Sequence, residues 1–273
     1  MRKGWSMLDI GFHQGSSLYS HAPQDELRLI AVASPQTETH GLEILWQVCL
    51  HLQRLGYPVV VLDGTARESE SSPGLLDLLT HEPWNESIPA AGQHSMSSLA
   101  VLPSMLGLHN LANQTQQHTH PLQALHPLFR RYALVVVHAP VATLASALLA
   151  GTMVSPLLLM SPGKHGVVDS YRQLKHLALH AGLVGTVACV THPGQPGQHT
   201  PARQALLSLR HTAARHLGQK IRTSLIEANS AQDLQRLALQ LLENACTINA
   251  SGMGTALPSL ASAGFSSPIV QSH

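Results

Sequence analysis

Residues 28–63, RLIAVASPQTETHGLEILWQVCLHLQRLGYPVVVLD, decide the fold. Arg28 to Ser34 is a short apolar run carrying the Ile and Val of a strand buried on both faces. A polar loop, Pro35 to His40, follows it. From Gly41 to Leu55 the residues Leu42, Leu45, Trp46, Cys49, Leu52 and Leu55 recur at alternating helical spacings. That pattern predicts an amphipathic helix with these residues on its core stripe, Trp46 among them as a large core side chain. Glu43, Gln47, Gln53 and Arg54 fall on the polar face, and Gly56 stops the helix. Pro58 to Asp63 is a second buried strand, ending in an acid. A helix of this length between two such strands is the crossover of a right-handed βαβ unit.

Outward from this unit the alternation continues. Gly74 to Leu79 reads as a short helix and Ser98 to Pro103 as a strand, whereas Gly107 to His120, rich in Gln, Asn, His and Thr, reads as an exposed loop or irregular helix. A helix from Pro121 to Arg131 leads into the strand Tyr132 to His138 (YALVVVH). Helix Ala142 to Ala150, strand Val154 to Ser161, helix Val167 to Ala181 and strand Val184 to Thr191 come next. A helix at Ala202 to Leu217, a strand at Ile221 to Leu225 and a helix at Ala231 to Asn244 complete the series; Leu234, Leu237, Ala238, Leu241 and Leu242 share one face of the last. The expected fold is α/β: a doubly wound, mainly parallel sheet with helices on both faces. The expected organisation is a flexible leader, 1–26, one domain over 27–245, and a disordered tail, 246–273, marked by Ser, Gly, Ala and Pro from Ala250 onward. No internal repeat is evident.

Composition narrows the function classes. Of 273 residues 44% are hydrophobic but only 4% aromatic, so the core is built from Leu, Val, Ile and Ala. Charged residues are 11% with a formal net charge of +1, too little field to attract nucleic acid or an anionic membrane. The longest apolar candidate, Ala145 to Met160, is broken by Gly151 and Pro156 and falls short of the ~20 residues a membrane span needs. Cys49, Cys189 and Cys246 are far apart in apolar runs, and the N-terminus lacks the apolar stretch of a signal peptide. Both point to a reducing cytoplasm. The 19 histidines include His118-x-His120 and the interval His192 to His199, but no CxxC or HExxH pairing, so no metal site is expected.

The order of strand, loop, helix and strand ending in Asp, followed later by a strand preceded by Arg-Arg-Tyr, resembles the MinD/ParA-like P-loop ATPases over Arg28 to Asn244. The flagellar-number regulators of the FlhG/FleN branch are the nearest. In that family the first loop reads lysine, two glycines, any residue, glycine, lysine, then threonine or serine. Laid without gaps on this chain, Gln36 stands for the signature lysine, Thr37 and Glu38 for the paired glycines, and His40 for the next glycine. Gly41 stands for the phosphate-binding lysine and Leu42 for the magnesium-binding hydroxyl. A phosphate cradle needs converging backbone N–H groups, a lysine and a hydroxyl on Mg²⁺. Glu38 would instead repel the phosphates by ~1 kcal/mol at 4 Å in water, and more where half-buried. No lysine occurs between Lys3 and Lys164 to serve in a shifted register.

Further motifs carry the resemblance. The family's Asp-x-Asp survives as Asp63 alone, followed by Gly64 and Thr65, and Pro73 to Leu79 matches its Gly-Leu-x-Asp-x-Leu segment. Tyr132 to Pro140 follows its Walker B strand with His138 at the metal-associated aspartate. Asp169-Ser170-Tyr171 with Lys175 is similar to a helix of MinD and its flagellar relatives. The resemblance therefore implies a pseudo-ATPase: no catalytic or metal residues, no cofactor, and a regulatory or scaffold role in flagellar assembly or number and placement control. Its partner would be a protein component of a flagellar or secretion system, with no nucleic acid, and any homodimer would form without ATP. The alternatives are an ATP- and Mg-binding ATPase whose altered loop is helped by Asp63, and an accessory protein of cellulose or capsule secretion. Neither the Gln-rich leader of flagellar regulators nor the basic apolar C-terminal helix of MinD is seen, so no stable membrane anchor is expected. Plain structural roles stand beside these. Asp63 caps the following loop, His138 is a hydrogen-bonded core histidine, and Lys164, in Ser-Pro-Gly-Lys-His-Gly, sits in a strand-to-helix turn.

Overall fold

The computed structural model describes residues 26–34, 40–80, 99–114, 120–192 and 197–248. Strand β1 (Leu27–Ala33) leads to helix α1 (His40–Arg54), β2 (Val59–Asp63), α2 (Leu75–Thr80), β3 (Ala100–Pro103) and α3 (Met105–Asn113). A 3₁₀ turn (Pro121–Ala124), α4 (Leu125–Phe129), β4 (Leu134–Ala139), α5 (Val141–Leu144) and β5 (Leu157–Met160) follow. Then come α6 (Lys164–Ala181), β6 (Thr186–Thr191), α7 (His199–Leu217), β7 (Arg222–Glu227), α8 (Ala231–Glu243) and β8 (Cys246–Ile248).

The described strands form one sheet in the order β3-β2-β4-β1-β5-β6-β7, all parallel along this path. β4 lies between β1 and β2, so the crossover of the first βαβ unit spans a strand. β1 is flanked on its other side by β5 at its C-terminal end, while β8 runs antiparallel along its first half, pairing Leu27 with Ile248 and Leu29 with Cys246. The sheet thus extends past the boundary expected at residue 245, since Cys246–Ile248 form β8 beside β1.

Alternation along each strand separates two cores. Leu29, Ala31, Val60, Leu62, Val135, Val137, Leu158 and Cys189 face one layer with Leu75, Leu108, Leu125, Leu144, Leu174 and Leu209 from α2 to α7. Ile30, Val32, Val59, Val61, Leu134, Val136 and Ala188 face the other, covered by α1 and α8. At ~25 cal/mol per Å² of apolar area, these two buried layers are the main stabilising term. Helix α8 starts on Ser230, whose hydroxyl accepts from the Asp233 N–H, while the Asp233 carboxylate accepts from Glu227 N, fixing the β7–α8 turn.

Several boundaries differ from the sequence reading. The buried hydrophobic side chains of α1 are Ile44, Leu45, Val48, Cys49 and Leu52; Leu42 and Trp46, and Leu55 just beyond the helix, are exposed, Trp46 to 49%. The core stripe is rotated because α1 packs against both the sheet and α8. The stretch expected as an exposed loop or irregular helix, Gly107 to His120, begins inside α3, a regular α-helix whose Leu108 and Leu111 are fully buried. The helix expected over Ala142 to Ala150 ends at Leu144. There Ser146 turns back on the chain, its hydroxyl donating to Thr143 O and accepting from Leu148 N. Lys164 is the first residue of α6, not part of a loop. Gly56, at φ 90°, ends α1 as the sequence indicates. The flexible leader and the disorder expected after Ala250 concern residues that, apart from Glu26, lie outside those described.

Candidate functional site

β1 and β4 are adjacent, yet their onward connections pass to opposite faces of the sheet: α1 covers the second core layer, α5 the first. This reversal opens a crevice at the C-terminal ends of the two strands, the place where open α/β sheets bind ligands. The end of β1, the start of α1, the end of β2 and the end of β4 converge on it.

The register of three neighbouring strands brings Val32, His138 and Asp63 side by side, pairing Val32 with His138 and His138 with Asp63. By alternation all three project to the α1 side. His138 Nδ1 lies 3.3 Å from Asp63 Oδ1. Because the carboxylate only accepts, the imidazole donates through Nδ1–H. Thr65 adds its backbone N–H at 3.0 Å and its hydroxyl at 2.6 Å to the same Oδ1. Asp63 is thus an Asx-type cap of the turn that follows β2, and His138 is a hydrogen-bonded histidine only 2% exposed. Burial works to raise the Asp63 pKa, but the bonds from His138 and Thr65 and the attraction of His138 outweigh it and hold the carboxyl at about 2.

The ends of β2 and β4 are held very close. Gly64 N donates to His138 O at 2.7 Å, and a Cβ at Gly64 would lie 2.7 Å from Ala139 Cβ and 2.9 Å from Leu108 Cδ1. Only glycine lets the turn bearing Thr65 fold onto β4, which places the threonine donors over Asp63.

Of the other positions singled out in the sequence, Gln36, Thr37 and Glu38 lie outside the described residues. His40 opens α1, Gly41 is buried in its first turn, and Leu42 is 52% exposed one residue on. The structure therefore joins Asp63 and His138 directly and sets Gly41 and Leu42 at the start of the helix that overlies them. Among the described residues no group of three or more His, Cys, Asp or Glu is placed to hold a metal, and no helix is long and apolar enough to cross a membrane.

One partly buried contact had no signal in the sequence. Glu68, in the turn after β2, accepts from Leu106 N at 2.7 Å, Gly107 N at 2.8 Å and Leu76 N at 3.4 Å. It thereby caps the first turns of α2 and α3 together. Ser104, before α3, does not take this role, since its hydroxyl donates to Leu102 O. The two closest partners lie 38 and 39 residues along the chain from Glu68, so no local pattern marks it.

Neither a protein-family model nor a curated protein matches the chain. Solved structures do. The chain is similar to pnob8 ParA at a TM-score of 0.50 and 10% identity, covering 80% of this chain and 99% of that one. It is similar to the MinD cell division protein of Aquifex aeolicus at 0.48 and 13%, covering 79% and 96%. A third is cobyrinic acid a,c-diamide synthase from Mycobacterium smegmatis with bound ADP and magnesium, at 0.47 and 15%, covering 80% and 94%. At such identities the likeness speaks for architecture alone: the chain carries the doubly wound, mostly parallel sheet of the MinD/ParA-type P-loop NTPase fold.

Proposed function

We propose that this chain is a non-catalytic member of the MinD/ParA-type architecture, a regulatory or scaffold protein that recognises a protein partner in flagellar assembly or placement. The observation that carries the reading is the Asp63–His138 contact. At the end of β4, where the resemblance calls for a metal-associated aspartate, an imidazole stands and donates to the one acid at the end of β2.

The fit to Mg-nucleotide is poor on chemical grounds. Magnesium takes near-octahedral oxygen ligands. The crevice residues described supply one carboxylate, Asp63, whose Oδ1 already accepts three donors, and a histidine in place of a second acid. Leu42 offers no oxygen and Gly41 no cation for phosphate. The flagellar context rests on Asp169-Ser170-Tyr171 and Lys175, which fall on α6: Ser170 is buried, Lys175 is exposed, and Tyr171 meets His216 of α7 edge to face at 6.4 Å.

The test is calorimetric titration of the full chain with Mg-ATP and Mg-ADP, beside a conventional relative. No heat at millimolar nucleotide is expected. Micromolar binding that Asp63→Ala abolishes while the fold persists would establish the alternative, an altered phosphate loop with Asp63 serving the metal. For the context, isolation of the chain with flagellar components is expected; recovery with cellulose or capsule secretion components instead would move the role there.

A further inference from the structure

The structure carries a second constellation, at the end of the sheet opposite the crevice. Helix α6 begins after the C-terminal end of β5 and runs back to the start of β6, so its last turns lie at the bottom of the molecule. There His176 and His180 stand one helical turn apart, with ring centroids 4.3 Å from each other and planes inclined at 42°. The rings neither stack in parallel nor meet edge to face.

We infer that His176 and His180 form a two-nitrogen chelating site for a borderline divalent transition cation such as Cu²⁺, Ni²⁺ or Zn²⁺. Residues four apart share one helix face. Two imidazoles sharing one ion, with metal–nitrogen bonds of about 2.1 Å at angles near 90 to 110°, keep their ring centres roughly 4.6 to 5.3 Å apart. The observed spacing of 4.3 Å lies just below that range. His176 is half-buried, which limits its rotamers, and His180 is exposed, which leaves the ion open to solvent that completes its coordination. The pair lies in the last turns of α6, where the carbonyl end of the helix dipole favours a cation. Arg172, one turn before His176, has its guanidinium engaged with Asp169 at 3.5 Å. Imidazole suits copper, nickel and zinc over magnesium or calcium, and copper binds most tightly by the usual order of divalent affinities. The site is separate from any nucleotide chemistry in the crevice.

The test must distinguish this pair from the other histidines of the chain. Diethyl pyrocarbonate modification of the folded full-length protein, read residue by residue by mass spectrometry with and without micromolar Cu²⁺ or Zn²⁺, does so. His176 and His180 are expected to become protected together, while exposed His165, His199 and His211 continue to react. Removing one ligand removes the chelate and lowers affinity on the order of a hundredfold. His180→Ala, at an exposed position, should therefore restore His176 reactivity in metal, and His176→Asn should do the same for His180. Equal protection of all exposed histidines, or protection of His176 that survives His180→Ala, would overturn the inference. Thermal unfolding of the metal-free variants verifies that the fold is kept.

Discussion

Glu68→Ala tests whether one carboxylate holds two helices to the flank of the sheet. It removes the acceptor for three N–H groups, those of Leu106, Gly107 and Leu76, at 2.7, 2.8 and 3.4 Å. The two short bonds are charge-assisted and partly shielded, each worth about 1.5 kcal/mol or more; the third is weak. The N-terminal dipoles of α2 and α3 add about 0.5 kcal/mol. Water reaches part of the vacated site and returns some of this, so the expected loss is about 2 to 4 kcal/mol. Against a typical stability of ~5 to 15 kcal/mol that is a large share. Glu68→Gln keeps one carbonyl acceptor and should lose about half as much. Urea denaturation followed by circular dichroism reads the effect as a lower midpoint with unchanged slope. Hydrogen exchange should show Leu106 and Gly107 amides losing protection before the rest of α3. If Glu68→Ala lies within ~0.5 kcal/mol of the parent, the ordinary range for a surface change, the double-cap argument is wrong.

Three further outcomes are expected. The Asp63 carboxyl titrates at about 2 in the folded chain against an ordinary 3.8, so its bonds stabilise the fold above about pH 4, and that stability is lost as pH falls toward 2. Allowing for solvent screening the amount is about 1 to 2 kcal/mol; Asp63→Asn should flatten stability over this window in acid titrations followed by fluorescence, and an unchanged profile would contradict it. Gly64→Ala forces its Cβ against Ala139 and Leu108 and should cost about 1 to 3 kcal/mol by denaturant unfolding; a neutral result would mean the β2 turn is not tightly packed on β4. Leu52→Ala should cost about 2 to 5 kcal/mol, whereas Trp46→Ala should cost about 1 kcal/mol or less; equal losses would restore Trp46 to the core.

The layered α/β architecture was legible because β1, β2 and β4 are runs of consecutive apolar residues broken only by Arg28, Asp63 and His138, a composition that suits strands covered on both faces. The order of those strands was not legible. Nothing in Val59 to Asp63 says that β4, arriving some seventy residues later, inserts between β1 and β2, and this insertion is what brings His138 to Asp63. Each residue could be recognised as a strand end, and each received its plain structural role, but their meeting is a property of register. The phase of α1 was misread because apolar residues occupy more than one stripe: spacing admits a face with Leu42 and Trp46 as readily as one with Ile44 and Val48, and only contact with α8 chooses between them. α3 was obscured by polar residues on its outer face and by the want of a local cap, which Glu68 supplies from a distance.

The position of β8 bears on how the protein is made. The first strand of the domain is also the central one, and half of one edge is completed only by the last strand, with Leu27 beside Ile248. As the chain leaves the ribosome, β1 can pair with β4 once that segment emerges, but the flank reserved for β8 stays open until the segment through Ile248 has been translated. Closing so distant a pairing is slow relative to local contacts. A nascent chain halted just before Cys246 would thus present unpaired backbone at the middle of its sheet, and truncation there should leave a product more prone to aggregation than one cut after Ile248.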